Sequence, residues 1–148
     1  MTEAALPSRG NRKQSRRYAV QAVYQYLIAD TDIGELACQF AAQDGYKRSD
    51  RAYFQKLVRG VLTEREQLEA RFGELLDRPV EQLDSVEHAV LLVGSYELQS
   101  CVETPYKVVI HEAVELAKVF GSVEGFRYVN GVLDRLASKL RAAEIAAS

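Results

Sequence analysis

Residues that punctuate or cross-link a chain are scarce in this sequence. Three prolines and nine glycines in 148 residues leave little room for a loop-dominated all-β design. The two cysteines, Cys38 and Cys101, lie far apart and form no C-x-x-C pattern. That argues against a disulfide framework and for a reducing compartment. No apolar run approaches the roughly 18 residues that a transmembrane helix requires. The basic N-terminus has no apolar stretch ahead of a cleavage site, and Ala19–Ile28 is interrupted by Gln21 and Gln25, which argues against a signal peptide. A soluble, cytoplasmic protein is the expectation. Sustained period-2 alternation is missing, as is any internal repeat of fixed length.

What remains is helical. Hydrophobic residues make up 47% of a chain of single-domain length, enough for a core. Residues 1–10 lack periodicity and read as a flexible basic lead, with one domain over 11–148. Ala19, Ala22, Val23, Tyr26 and Leu27 recur at three- and four-residue steps, which predicts a first helix from about Asn11 or Ser15 to Ala29. Leu36, Cys38, Phe40 and Ala41 suggest a short second helix closing near Gly45. Ser49 or Asp50 caps a segment of about 25 residues, from Tyr53 to Leu75, which Gly60 is expected to soften. Arg78-Pro79 breaks the chain. Asp84 or Ser85 opens a helix through Gln99, and Thr104-Pro105 opens another that stops at Phe120-Gly121. Phe126, Val129, Val132, Leu133, Leu136 and Leu140 form the stripe of a last helix. The layout is all-α, a helical bundle of six or seven helices or two small bundles packed together.

Catalytic motifs fail on inspection. His111-Glu112-x-x-Glu115 lacks the second histidine of a zinc hydrolase, and the chain's other histidine is His88. Gly121-Ser-Val-Glu-Gly125 has no Lys-Ser/Thr and no preceding strand, so it reads as a helix–helix turn rather than a phosphate loop. Nothing marks either cysteine as activated. No enzyme activity, metal or cofactor is expected.

Charge is unevenly placed. Residues 1–17 hold Arg9, Arg12, Lys13, Arg16 and Arg17 against Glu3 alone, a net of +4, in a chain whose overall charge is −2. Arg12 and Arg16 lie one helical turn apart, as do Lys13 and Arg17. Cations at the positive end of a helix dipole oppose it, so stability alone would not gather them there, whereas phosphate binding would. Tyr18, Tyr24 and Tyr26 lie nearby, and an exposed tyrosine beside arginine is a stacking platform for unpaired bases. The alternatives are a merely solubilising basic tail and tyrosines that belong to the core or its rim, as expected for Tyr26.

These residues carry a resemblance. RRYAVQAVYQYLIA, VEHAVLLVGSYEL, TPYKVVIHEAVELAKVFG and FRYVNGVLDRLA are similar, in this order, to helices of the bacterial NusB family over about residues 12–137. The resemblance implies an all-α fold of two small packed bundles. It implies binding of the single-stranded boxA element of ribosomal RNA leaders, together with the ribosomal protein NusE, within an RNA polymerase antitermination complex. Members differ in self-association, so a homodimer is an open alternative. Carried over onto this sequence, the RNA-binding residues fall on Arg9, Arg12, Lys13, Arg16, Arg17 and Tyr24, with a second region at Arg127, Tyr128 and Asn130. Glu124 would tune that second contact by repulsion. The acidic body would face a basic partner through Glu81, Asp84, Glu87 and Glu97. His111 stands where members commonly have Asn, and His88 where a basic residue is common. Two other readings are an RNA-targeting NusB-like domain of a ribosomal RNA cytosine methyltransferase and a structural protein with no RNA role.

Overall fold

The computed structural model describes residues 9–30, 32, 35–36, 39, 49–121 and 123–147, with the backbone alone at residues 9–11 and 123. Six α-helices and no strand occur among them: α1 (Arg9–Ala29), α2 (Arg51–Gly73), α3 (Ser85–Ser100), α4 (Tyr106–Phe120), α5 (Val123–Leu140) and α6 (Ala142–Ala147). A single 3-10 turn, Val80–Gln82, follows the Arg78-Pro79 break. The all-α expectation holds. The expected short helix near residues 36–45 lies largely outside the described residues, as does most of the expected lead. Arg9 and Gly10 already carry helical backbone.

Local chemistry sets the helix ends. Asp30, at φ 51°, takes the left-handed conformation and closes α1 through its N–H to the Tyr26 carbonyl at 2.9 Å. The Asp50 side chain accepts from the Tyr53 N–H at 3.1 Å, and the Asp84 side chain from the Val86 N–H at 3.0 Å. Pro105 precedes α4, where its missing N–H costs nothing.

The central element is α3. Every residue from Glu87 to Leu98 is buried, so this helix is enclosed all round rather than along one stripe. Helices α1 and α2 pack on it and on each other, and α4 and α5 do the same. The two small bundles are therefore two three-helix groups that share α3. Leu57, Leu68, Phe72, Leu91, Leu92, Leu98, Leu133 and Leu136 fill the core. Gly60 does not bend α2; the bend lies at Glu64 (φ −109°, ψ 17°). Gly60 instead admits Tyr96, because a Cβ there would stand 2.2 Å from the Tyr96 ring. Among the described residues no helix is long and apolar enough to cross a membrane.

Candidate nucleic-acid interface

The basic half of α1 divides into two sets. Lys13 and Arg17 are exposed, and with Tyr24 they share one face, four and seven residues apart. The Lys13 side chain is 70% accessible and its ammonium lies 4.0 Å from Glu112. Arg12 is half-buried: its Nε donates to Asp50 Oδ2 at 3.3 Å, and its guanidinium stacks 4.2 Å above the Tyr53 ring. Tyr24 is partly buried against the core, and Tyr18 is buried. Tyr26 is partly buried, with the Arg65 guanidinium 5.9 Å over its ring. The Arg9 side chain lies outside the described atoms.

Arg16 departs from the expectation. Its residue is 6% exposed, and its Nε donates to Glu97 Oε1 and Oε2 at 3.0 and 2.8 Å, with Nη2 2.8 Å from Oε2. Glu97, expected on a partner surface, is 1% exposed in the last turn of α3. Its carboxylate also accepts from the Tyr53 hydroxyl, which stands 3.5 Å from Thr104 Oγ1. Burial would lower the Arg16 pKa, but the hydrogen bond and charge of Glu97 outweigh it and hold it above its ordinary value. Burial, then the Glu97 charge, pushes the Tyr53 hydroxyl well up. Arg16 and Glu97 are thus a core ion pair, spent on each other. Arg16, expected with the other four cations to meet phosphate, is instead held in the core by Glu97. Arg12 is engaged in part, by Asp50 at the cap of α2 and by Glu103 between α3 and α4.

A cation–aromatic run continues from Arg17. Its guanidinium lies 5.4 Å over Phe120, at the end of α4. Lys118 lies 4.9 Å and Arg127 5.9 Å from the Phe126 ring, at the start of α5. Both rings are partly buried and Arg127 is exposed. Arg17, Lys118 and Arg127 therefore present positive charge beside two aromatic faces, with the exposed Lys13 one turn before Arg17 on α1. That combination suits phosphates and unstacked bases together.

The other residues of the second region diverge, since two residues apart on a helix means nearly opposite faces. The Tyr128 hydroxyl donates to Asp77 Oδ1 at 2.9 Å and accepts from the Asp77 N–H at 3.2 Å, and Arg78 stacks 4.6 Å over its ring. Asn130 is exposed and lines a shallow groove of about 330 Å³ between α4 and α5 with Tyr106, Lys107, His111 and Asp134.

Glu81 and Asp84 are exposed, and the Asp84 carboxylate serves as the cap of α3. Glu87 is buried against Gly125, where a Cβ would meet its Oε2 at 2.7 Å. Burial, then the charge of Asp84, raises the Glu87 pKa, and Arg78 works against both. A raised carboxyl pKa favours the folded state below the unfolded value, a gain lost as pH rises through the folded one. Glu87→Gln, which mimics the protonated acid, is accordingly expected to raise the denaturation midpoint at pH 7 and to leave it unchanged at pH 3.5. Equal effects at both pH values would contradict this.

The match to known proteins is extensive. Residues 13–138 fit the family model of the NusB family. The chain is 51% identical over 146 residues to the transcription antitermination protein NusB of Cupriavidus pinatubonensis, covering 99% of this chain and 87% of that one. The chain belongs to the NusB family. It superposes on Thermotoga maritima NusB with a TM-score of 0.75 at 26% identity, covering 86% of this chain and 90% of that one. A chain in a crystal structure of the antitermination factors NusB and NusE in complex with double-stranded RNA gives 0.77 at 23% identity, covering 89% and 99%, which speaks for the fold. The family is one of antitermination proteins, not of enzymes. Its methyltransferase-linked variants are not favoured, because the Cupriavidus relative is matched over most of its length and bears the antitermination name.

Sequence reasoning missed three features of this NusB-family chain. Phe120 and Phe126 were read as a helix stop and a core stripe. Their position at facing helix ends next to Lys118 and Arg127 was the available signal. Tyr53 was read as core alone. Arg141, in an otherwise alanine-rich tail, was not singled out at all. It is 5% exposed and donates to the carbonyls of Leu98, Thr104, Glu97 and Cys101 at 2.7–3.3 Å.

Proposed function

We propose that this protein is a non-catalytic antitermination factor that binds boxA-type single-stranded RNA of the ribosomal RNA leader and works with a NusE-type ribosomal protein in an RNA polymerase complex. The observation that carries the RNA reading is the set of exposed cations Arg17, Lys118 and Arg127 beside Phe120 and Phe126, with Lys13 one turn before Arg17 on α1. A core-stability need does not call for three surface cations at two aromatic rings. Arg12 stands at the edge of this run, while Arg16 belongs to the core. The partner reading is supported by the acidic start of α3, where Glu81 and Asp84 are exposed and Glu87 lies just beneath. Basic ribosomal proteins suit such a surface, and long-range charge would speed encounter. A solved complex holds NusB with NusE and double-stranded RNA, which supports RNA and a NusE-type protein as partners without bearing on the single-stranded form.

The test is replacement of Arg12, Lys13 and Arg17 by Ala, with Arg16 left in place because it holds the core. Affinity for labelled boxA-type RNA is expected to fall by at least about tenfold, and the slope of log K against log salt to flatten by about 0.7 for each phosphate contact removed. Helicity and thermal midpoint should stay close to those of the parent chain. An unchanged slope would remove the arm from the RNA site.

A further inference from the structure

Arg12 is held differently from the other surface cations. Its guanidinium carbon stands 4.2 Å over the centre of the Tyr53 ring, its Nε is held by Asp50 Oδ2 at 3.3 Å, and Nη1 stands 3.8 Å from Glu103. The ring beneath it cannot drift. Tyr53 is 4% exposed, and its hydroxyl is fixed by Glu97 and lies beside Thr104. Asp50 is fixed in turn, since its Oδ1 caps α2 at the Tyr53 N–H and its carbonyl accepts from Ser15 Oγ at 2.7 Å. The side chain of Arg12 nevertheless keeps 31% of its surface. A guanidinium carries five N–H donors in one plane. Among the described residues two carboxylates engage this one, at Nε and Nη1, so the head group is held while part of the side chain stays accessible.

We propose that Asp50 and Tyr53 are positioning residues for RNA binding: they hold the head group of Arg12 so that it meets a backbone phosphate without first losing rotamer freedom. An arginine side chain that is free before binding gives up rotamer freedom when a ligand immobilises it. Tyr53 and Asp50 remove that loss in advance. Neither touches the RNA. The inference rests on the RNA-binding reading above.

The experiment uses the full chain and labelled boxA-type RNA across a salt series, with Tyr53→Leu, Tyr53→Phe, Asp50→Asn, Arg12→Ala and the double variant Arg12→Ala/Tyr53→Leu. Tyr53→Leu is expected to weaken binding about two- to thirtyfold, the range cation–π contacts span from exposed to desolvated sites. Tyr53→Phe keeps the ring and should stay within about twofold of the parent. The double variant should bind no more weakly than Arg12→Ala, because the two residues act through one contact. A structural role alone would add the two losses, and additive losses overturn the proposal. If Tyr53→Leu does not fold, Asp50→Asn serves instead. Asn still caps a helix but withdraws the charge at Arg12, so it should weaken binding in the parent background and have no effect beside Arg12→Ala. The Arg12 Nε–H resonance gives a readout without RNA, and it should be ring-shifted in the parent and unshifted in Tyr53→Leu. A shifted resonance together with RNA affinity that Tyr53→Leu leaves unchanged overturns the positioning role alone. A parent chain that binds no RNA overturns the function with it.

Discussion

Glu97→Ala is expected to cost about 3–5 kcal/mol of folding stability, the usual result of stripping one partner from a buried ion pair. At this chain length that corresponds to a fall of roughly 10 °C in the thermal midpoint. The reason is the asymmetry of buried charge. Arg16 would stay enclosed with no carboxylate, and the Tyr53 hydroxyl would lose its acceptor. Arg16→Ala should be nearly as damaging from the other side. Replacing both residues, as in Arg16→Met/Glu97→Leu, removes the desolvation cost together with the attraction and should recover most of the loss. Chemical denaturation of the three variants checks this. A cost under about 1 kcal/mol for Glu97→Ala would place the pair in the class of solvated surface bridges and contradict its burial.

Arg141→Ala is the second large effect, expected at about 2–4 kcal/mol. The last carbonyls of a helix have no partners within it. Here α3 ends inside the protein, and the Arg141 fork supplies donors to Glu97, Leu98, Cys101 and Thr104. Arg141 also pairs with Glu144, whose other oxygen accepts from the Tyr106 N–H at 2.8 Å. One side chain thereby ties α6 to the end of α3 and, through Glu144, to the start of α4. Arg141→Lys should restore little, because a compact ammonium cannot span carbonyls that a planar fork reaches together. Denaturant titration, with amide exchange followed over residues 98–106, reads the effect. Full rescue by Lys would show that charge alone matters at this site.

The helices were legible in the sequence because their signals are local. Asp50, Asp84 and Pro105 stand at the starts they were read to mark, and the Val129–Leu136 stripe faces inward as its spacing requires. The enclosure of α3 was less legible. Its inward positions stand out in the sequence, but Glu87 and Glu97 read as partner-facing acids and His88 as a substitute for a basic residue. They are buried because α1, α2, α4 and α5 close around that helix, with His88 meeting Glu69 at 2.6 Å. The same non-local closure misled the reading of Arg16. One turn from Arg12, it matched a basic stripe, and the carboxylate that claims it lies 81 residues away in sequence. Lys13 and Arg17 face outward as the stripe implied. The aromatic part of the site was hidden for a further reason. Phe120 and Phe126 belong to different helices, and only the α4–α5 turn sets them beside the cations of α1 and α4.

The most direct test of the account is the affinity of the parent chain for labelled boxA-type RNA and for a scrambled RNA of equal composition, each with and without NusE, across a salt series. The account predicts salt-dependent binding that favours the boxA-type RNA and tightens when NusE is present. Equal, weak binding to both RNAs, unmoved by NusE, would contradict it and leave the basic run as a general polyanion contact.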